Sequence, residues 1–184
     1  VWTGSEMLVW GGMGIEGIFG DGAAYDPVTD QWRQTTMEGG PGSRSGHTAV
    51  WTGSEMLVWG GRTGGVASGS GYAYDPKKDS WRMLPLSGGP EPREGHTATW
   101  TGVEMVVFGG TTTVGEVNTG YALDPKKNKW RSLTTVGGPL KRAKHTAVWT
   151  GADLVVFGGL RDGVPLSAPQ RLSLQETWYL YRKL

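Results

Sequence analysis

Of 184 residues, 32 are glycine, ten are tryptophan, ten are proline and none is cysteine. The missing cysteine excludes a disulfide scaffold, a thiol nucleophile and Cys-built zinc or iron–sulfur sites, while the tryptophans argue for a packed core rather than disorder. Eighteen basic against seventeen acidic residues leave a net charge of +1, which excludes a strongly basic nucleic-acid binder. No apolar run approaches the ~18 residues of a membrane-spanning helix.

The charge is unevenly placed. Residues 1–92 carry six basic and ten acidic side chains, and residues 93–184 carry twelve and seven. The C-terminal half is therefore the better place for an acidic ligand, although such drift is ordinary among solvated loops. The chain opens without Met and without a signal-peptide pattern, so residues before Val1 are expected. The composition is compatible with a bacterial surface, secreted or periplasmic protein and equally with the cytoplasm.

The glycines are periodic. VWTGSEMLVWGG at 1–12 recurs unchanged at 50–61, then as TWTGVEMVVFGG at 99–110 and VWTGADLVVFGG at 148–159, a spacing of 49 each time. YDPVTDQW at 25–32 returns as YDPKKDSW at 74–81 and LDPKKNKW at 123–130, and decays to RLSLQETW ending at Trp178 with one residue lost. The links between copies read SRSGHTA, PREGHTA and KRAKHTA. A period of this length is the signature of a repeat architecture.

In chain order, each unit predicts four short strands. Residues 46–51 alternate, meet the turn dipeptide Thr52-Gly53 and run back over 55–60 as a hairpin. Residues 56–59 are apolar on both faces, as in a strand buried between two sheets. A variable Gly-rich loop occupies 62–71, and a third strand follows over 71–74 with Tyr72 and Tyr74 on one face. Asp75-Pro76 and the residues after it carry turn chemistry, and the fourth strand starts at Trp81. No stretch shows a helical period with caps.

The double glycine closing the second strand, the Tyr about a dozen residues on and the Trp seven residues later resemble the kelch repeat, in four in-phase copies covering the whole chain. The tandem wording is most similar to kelch arrays of bacterial proteins. The resemblance implies an all-β fold, a β-propeller, with four blades of four antiparallel strands of which the first lacks its first strand. The chain would be one domain over 1–184, with repeats beginning at 1, 50, 99 and 148. Three architectures stay open: the C-terminal portion of a larger propeller, two chains closing one ring as a homodimer, and a small four-bladed ring.

Every Trp falls on one of three repeat positions, which marks them as core. His47, His96 and His145 share one repeat position, where a structural hydrogen bond is the expected role; a catalytic His has no reason to recur in each blade. Arg44, Arg93 and Arg142 precede them by three residues and should ring one mouth of the central channel. In kelch domains of ubiquitin-ligase adaptors, arginines at this motif position hold acidic peptides. Arg44, in RSG, matches that context best; Arg142 departs from it, because Lys144 replaces the glycine. These three arginines and Lys144 are the candidate ligand-binding residues, against the alternative of inter-blade ties.

The remaining motifs are weak. A G-x-G-x-x-G match at 12–17 has no helix after it. The paired Asp of the turns, Asp26/Asp30 and Asp75/Asp79, fit turn chemistry better than calcium. The reading is a binding module, without cofactor, metal or catalytic residues, that recognises a protein, peptide or glycan through the variable loops 13–22, 62–71, 111–120 and 160–169. The alternative is a carbohydrate-active enzyme resembling kelch-fold sugar mutarotases, with Glu16 and Glu116 as acid/base candidates. The copper chemistry of galactose-oxidase relatives needs a Tyr–Cys crosslink, which this sequence cannot make.

Overall fold

The computed structural model describes residues 1–174, all strands, turns and loops with no helix among them; Trp178 and the expected last strand lie outside that range. Two complete blades form the middle. One runs Thr48–Trp51, Met56–Trp59, Gly71–Asp75, Ser80–Met83, and the next Thr97–Trp100, Met105–Phe108, Gly120–Asp124, Lys129–Leu133, each an antiparallel sheet in sequence order. They are flanked by a first blade of Met7–Gly14, Gly17–Asp26 and Gln31–Gln34, and by a fourth of Thr146–Trp149, Asp153–Phe157 and Gln170–Ser173. In the first blade only Trp2, bridged to Met7, marks the place of an innermost strand.

The strand order follows from chemistry local to each turn. Thr52 Oγ1 accepts the Glu55 N–H at 2.9 Å and donates to the Glu55 carbonyl at 3.1 Å, closing the first hairpin; Thr3, Thr101 and Thr150 do the same in their repeats. The Glu55 carboxylate then takes a two-pronged hydrogen bond from Arg82 on the fourth strand, at 2.8 and 2.6 Å. Glu6–Arg33 and Glu104–Arg131 repeat this clasp. At the second turn, Asp75 Oδ1 accepts the Lys77 and Lys78 N–H groups, and Asp79 sits at φ +47°, a left-handed conformation that Asp and Asn tolerate best among residues with side chains. Asp30 and Asn128 take the same conformation, so the paired acids are turn residues.

Blades stack face to face. Leu8, Trp10 and Ala24 of the first pack on Met56, Val58 and Tyr74 of the second. Leu57, Trp59 and Ala73 pack on Met105, Val107, Leu123 and Trp130, and Val106, Phe108 and Ala122 on Leu154, Val156 and Leu172. The second strand is therefore buried along its whole length in both complete blades, because it has a neighbouring sheet on each side. The fourth-strand tryptophans tie back to the preceding link: Trp81 Nε1 donates to the Thr36 carbonyl at 2.9 Å and Trp130 Nε1 to that of Pro85 at 2.8 Å. Their rings lie over Gly40 and Gly89, which accounts for the Gly-Gly-Pro links.

The expectation that all repeat-position tryptophans are core needs correction at Trp2 and Trp32, which are more than half exposed because no blade packs against that side of the first sheet. The described sheets join first to second, second to third and third to fourth, an arc on which Val9 and Trp32 at one end and Val148 and Phe157 at the other are exposed. The variable loops also hold more order than expected. Arg62–Thr63 pairs with Val66–Ala67, Thr111–Thr112 with Gly115–Glu116, and Leu160–Arg161 with Val164–Pro165. In the first blade the ribbon is continuous with the sheet through a bulge between Trp10 and Gly12. Asp162-Gly163 and Gly64-Gly65 at the tips were the available signal.

The double glycine is required twice over. Gly60 has φ +72°, and a Cβ there would lie 2.5 Å from Cε1 of His96 in the next blade; at Gly61, φ +80°, it would lie 2.4 Å from the Ser45 carbonyl oxygen. Gly53 has φ +98° with nothing near. Gly53→Ala should therefore cost about 1 kcal/mol of backbone strain, and Gly60→Ala about 2–4 kcal/mol, since an overpacked seam is added to it. Urea unfolding of the two variants measures the difference.

Candidate functional site

The three links, the ends of the second strands and the four hairpins meet at one end of the arc, because the first strand starts, the second ends and the third starts there. The arginines are at the centre of this end, though not as expected. Arg44, Arg93 and Arg142 are among the most completely buried large side chains, and each joins two blades. The Arg93 carbonyl accepts the Gly61 N–H of the preceding blade at 3.0 Å, while its Nη1 donates to the Gly109 carbonyl of the following blade at 3.0 Å. Arg44 does the same with the Gly12 N–H at 2.9 Å and the Gly60 carbonyl at 3.2 Å, and Arg142 with Gly110 at 2.8 Å and Gly158 at 3.1 Å.

Other donors are used nearby: Arg44 Nη2 reaches the Pro41 carbonyl and Ser70 Oγ, Arg93 Nε the Glu91 carbonyl, Arg142 Nε the Leu140 carbonyl and its Nη2 the Gln170 amide oxygen. The Arg44 and Arg93 guanidiniums also lie 5.6 Å from the rings of Tyr72 and Tyr121. The expected ring of guanidiniums facing an open mouth is thus replaced by buried ties between successive double glycines. Carbonyl oxygens take most of these donors, Arg44 Nε and Arg93 Nη2 being buried without a partner, and removing the side chain strands those carbonyls in the seam.

The charges themselves are not cancelled. None of the three guanidiniums forms an ion pair among the described residues, and burial lowers the pKa of each, although a guanidinium stays protonated in proteins. They act on the next group inward. His96 Nε2 is hydrogen-bonded to Thr48 Oγ1 of the preceding blade at 2.8 Å, and His145 Nε2 to Thr97 Oγ1 at 3.0 Å. Each ring meets an aromatic of that blade edge-on, His96 with Trp59 at 5.0 Å and His145 with Phe108 at 5.6 Å. Burial, then the neighbouring arginine, hold His96 down to about 3 and His145 down to about 4. The histidines are neutral seam residues, as their recurrence suggested.

Lys144 is exposed and stands where Ser-Gly-His and Glu-Gly-His have glycine. It adopts the same left-handed backbone, φ +58° against +63° at Gly46 and Gly95, and its N–H donates to the Gly95 carbonyl at 2.7 Å. The link therefore keeps its path despite the substitution.

Around these ties each hairpin carries an exposed aliphatic side chain beside polar residues that differ from blade to blade. Ile15, Val66, Val114 and Val164 stand exposed at their tips. Arg62 pairs with Glu94 at 2.7 Å and Lys141 with Asp162 at 2.6 Å, joining hairpin to link. Glu16 and Glu116 are on the hairpins of the first and third blades, with the second blade's hairpin between them. The sequence reading overlooked these hairpin–link ion pairs because Arg62, Glu94, Lys141 and Asp162 have no counterparts at the repeat spacing.

Two measurements follow. Because the native pKa values of His96 and His145 lie below the ordinary value near 6.5, their contribution to stability is complete above that pH and is lost as pH falls toward 4. Each imidazole contributes a slope of up to about 1.4 kcal/mol per pH unit within the window. Urea unfolding at pH 7, 6, 5 and 4 should show the decline, and His96→Gln with His145→Gln should flatten it. Lys144→Gly, which relieves the left-handed strain, should raise stability by about 1 kcal/mol.

Comparison with curated proteins gives no match. A family model described as the KLHDC2/KLHL20/DRC7 Kelch-repeats domain matches residues 1–181. With the 49-residue repeat and the stacked antiparallel sheets, that match places the chain in the kelch-repeat family of β-propeller proteins.

Proposed function

We propose that the chain is an interaction module whose hairpin end recognises a partner protein or peptide of acidic character. The observation that carries this reading is the division of labour along the repeat. Residues that recur at 49-residue spacing are consumed by turns, clasps and seams, and those that do not recur collect on the hairpins at one end. A rigid frame with exposed aliphatic tips beside polar groups is the composition of a recognition face. Kelch domains typically mediate protein interactions, which supports a binding module over an enzyme.

The acidic preference rests on charge. Three buried guanidiniums without an ion pair and the exposed Lys144 raise the potential at this end, Glu91 being the one carboxylate among the described residues that acts on them by charge, at Arg93. Such a field steers oppositely charged partners and sets register. Arg44, Arg93 and Arg142 thus act on a ligand through their field, and Lys144 by contact. A glycan with acidic groups would use the same field. We further propose a second copy of the chain as a partner, on surfaces away from the hairpins. No helix among the described residues is long and apolar enough to cross a membrane.

The test is a titration of acidic peptides, charge-neutral peptides, and acidic and neutral glycans against wild type, Lys144→Glu and Ile15→Asp/Val114→Asp. Acidic peptides should bind best, more weakly as salt rises. Each variant should lose about tenfold in affinity (about 1.4 kcal/mol) with its melting temperature unchanged. No binding in any class, or binding indifferent to these variants, defeats the proposal, and turnover of a sugar would replace it with the mutarotase-like reading.

A further inference from the structure

One ion pair at the hairpin end stands outside every recurring device. Arg62 occupies a place on the second hairpin where the other blades have Met13, Thr111 and Leu160. Glu94 occupies a place in the second link where the others have Ser45 and Ala143. Arg62 Nη1 donates to Glu94 Oε1 at 2.7 Å, with the two side chains 44% and 34% exposed. Lys144 of the third link lies beside the same acid. Its N–H donates to the Gly95 carbonyl at 2.7 Å, and its Cγ is 3.4 Å from where a Cβ on Gly95 would stand. One carboxylate is thus held on a hairpin cation next to the link cation through which an acidic partner is read by contact.

This pair is built differently from the pairs of the frame. Glu55–Arg82 and Glu104–Arg131 are two-pronged and each closes a single sheet. Arg62–Glu94 is one-pronged and runs from one blade's ribbon to the next by side chains alone. Each end is fixed without it. Arg62 exchanges two backbone hydrogen bonds with Ser45, at 2.8 and 3.1 Å, and Glu94 exchanges two with Thr111, also at 2.8 and 3.1 Å. Arg62 Nη2 is tied to the Gly65 carbonyl of its own hairpin. Turning the Glu94 side chain into solvent therefore breaks one exposed contact and leaves the guanidinium in place. Exposed pairs of this kind add little to stability, and a guanidinium binds a carboxylate best through two prongs.

We infer that Glu94 is a built-in competitor: its carboxylate occupies on Arg62 the place of a carboxylate of the acidic partner, which must displace it to bind Arg62 beside Lys144. The inference rests on the reading of this end as a recognition face for acidic partners, and it adds how that face is held in check. Because Arg62 is available only in the fraction of molecules whose pair is open, the partner's affinity is lowered by that fraction.

The test is a binding titration of a labelled Glu–Gly repeat peptide against the whole chain as wild type, Glu94→Gln, Arg62→Ala and the double variant. Glu94→Gln should tighten binding roughly fivefold, the upper end for release of an exposed ion pair. The gain should fall below about twofold when Arg62 is already Ala, because the pair that was released no longer exists. Glu94→Ser, which carries the residue of the first link, should tighten binding as Glu94→Gln does. Unchanged or weaker binding in both Glu94 variants overturns the inference. So does an equal gain with and without Arg62, which would reduce Glu94 to a contributor to the general field. Peptide binding that depends on Lys144 but is indifferent to Glu94 defeats the inference alone. Absence of binding in every variant defeats the recognition reading together with it.

Discussion

Everything in this chain depends on how closely one blade's backbone can approach the next. The approach is possible because two glycines with left-handed backbones end each second strand: at Gly60 and Gly109 the first leaves room for the following blade's histidine and link, and at Gly61 and Gly110 the second leaves room for those of its own blade. Into that gap the link arginine places both its carbonyl and its side chain, one toward the blade behind and one toward the blade ahead. A backbone hydrogen bond and a guanidinium hydrogen bond then share one residue, so the seam cannot loosen at one blade without disturbing its neighbour. The apolar stacking of Leu57 and Trp59 on Met105 and Val107 is the larger share of the burial, but the polar tie sets its spacing.

That arrangement decides where function has room. A buried cation bonded to carbonyls cannot release its donors without opening the seam, so in the proposed reading the recurring arginines act through charge and order rather than contact. The unpaired charge follows from the same arrangement: main-chain oxygens take most of each guanidinium's hydrogen bonds without supplying an opposite charge. The histidines behind it are kept neutral by burial and by that field. What is free to vary without cost to the seams is the hairpin set, and there the sequence does vary.

Much of the frame was legible before the structure. The strand boundaries of the second blade, the turn chemistry at Asp75 and the seam role of the histidines follow from the repeat, because a residue kept at every 49th position serves something common to every blade. The small ribbons within the loops were less legible, since their pairing is only two residues long and differs in each blade. For the arginines the sequence left a ligand-facing mouth and an inter-blade tie both open, and the structure shows the ties. A motif position gives the end of the blade at which a side chain emerges, but the direction it takes depends on which carbonyls the next blade presents.

The sequence by itself determined the fold class, the phase of the blades and the residues that recur, because the period is written in the chain and each strand's pattern is local. Only the tertiary structure decided which recurring residues are spent inside the seams, and that Arg62 pairs with Glu94 and Lys141 with Asp162 between hairpin and link. Those facts concern distances between residues far apart in sequence, and a linear pattern carries no measure of them until the blades are stacked.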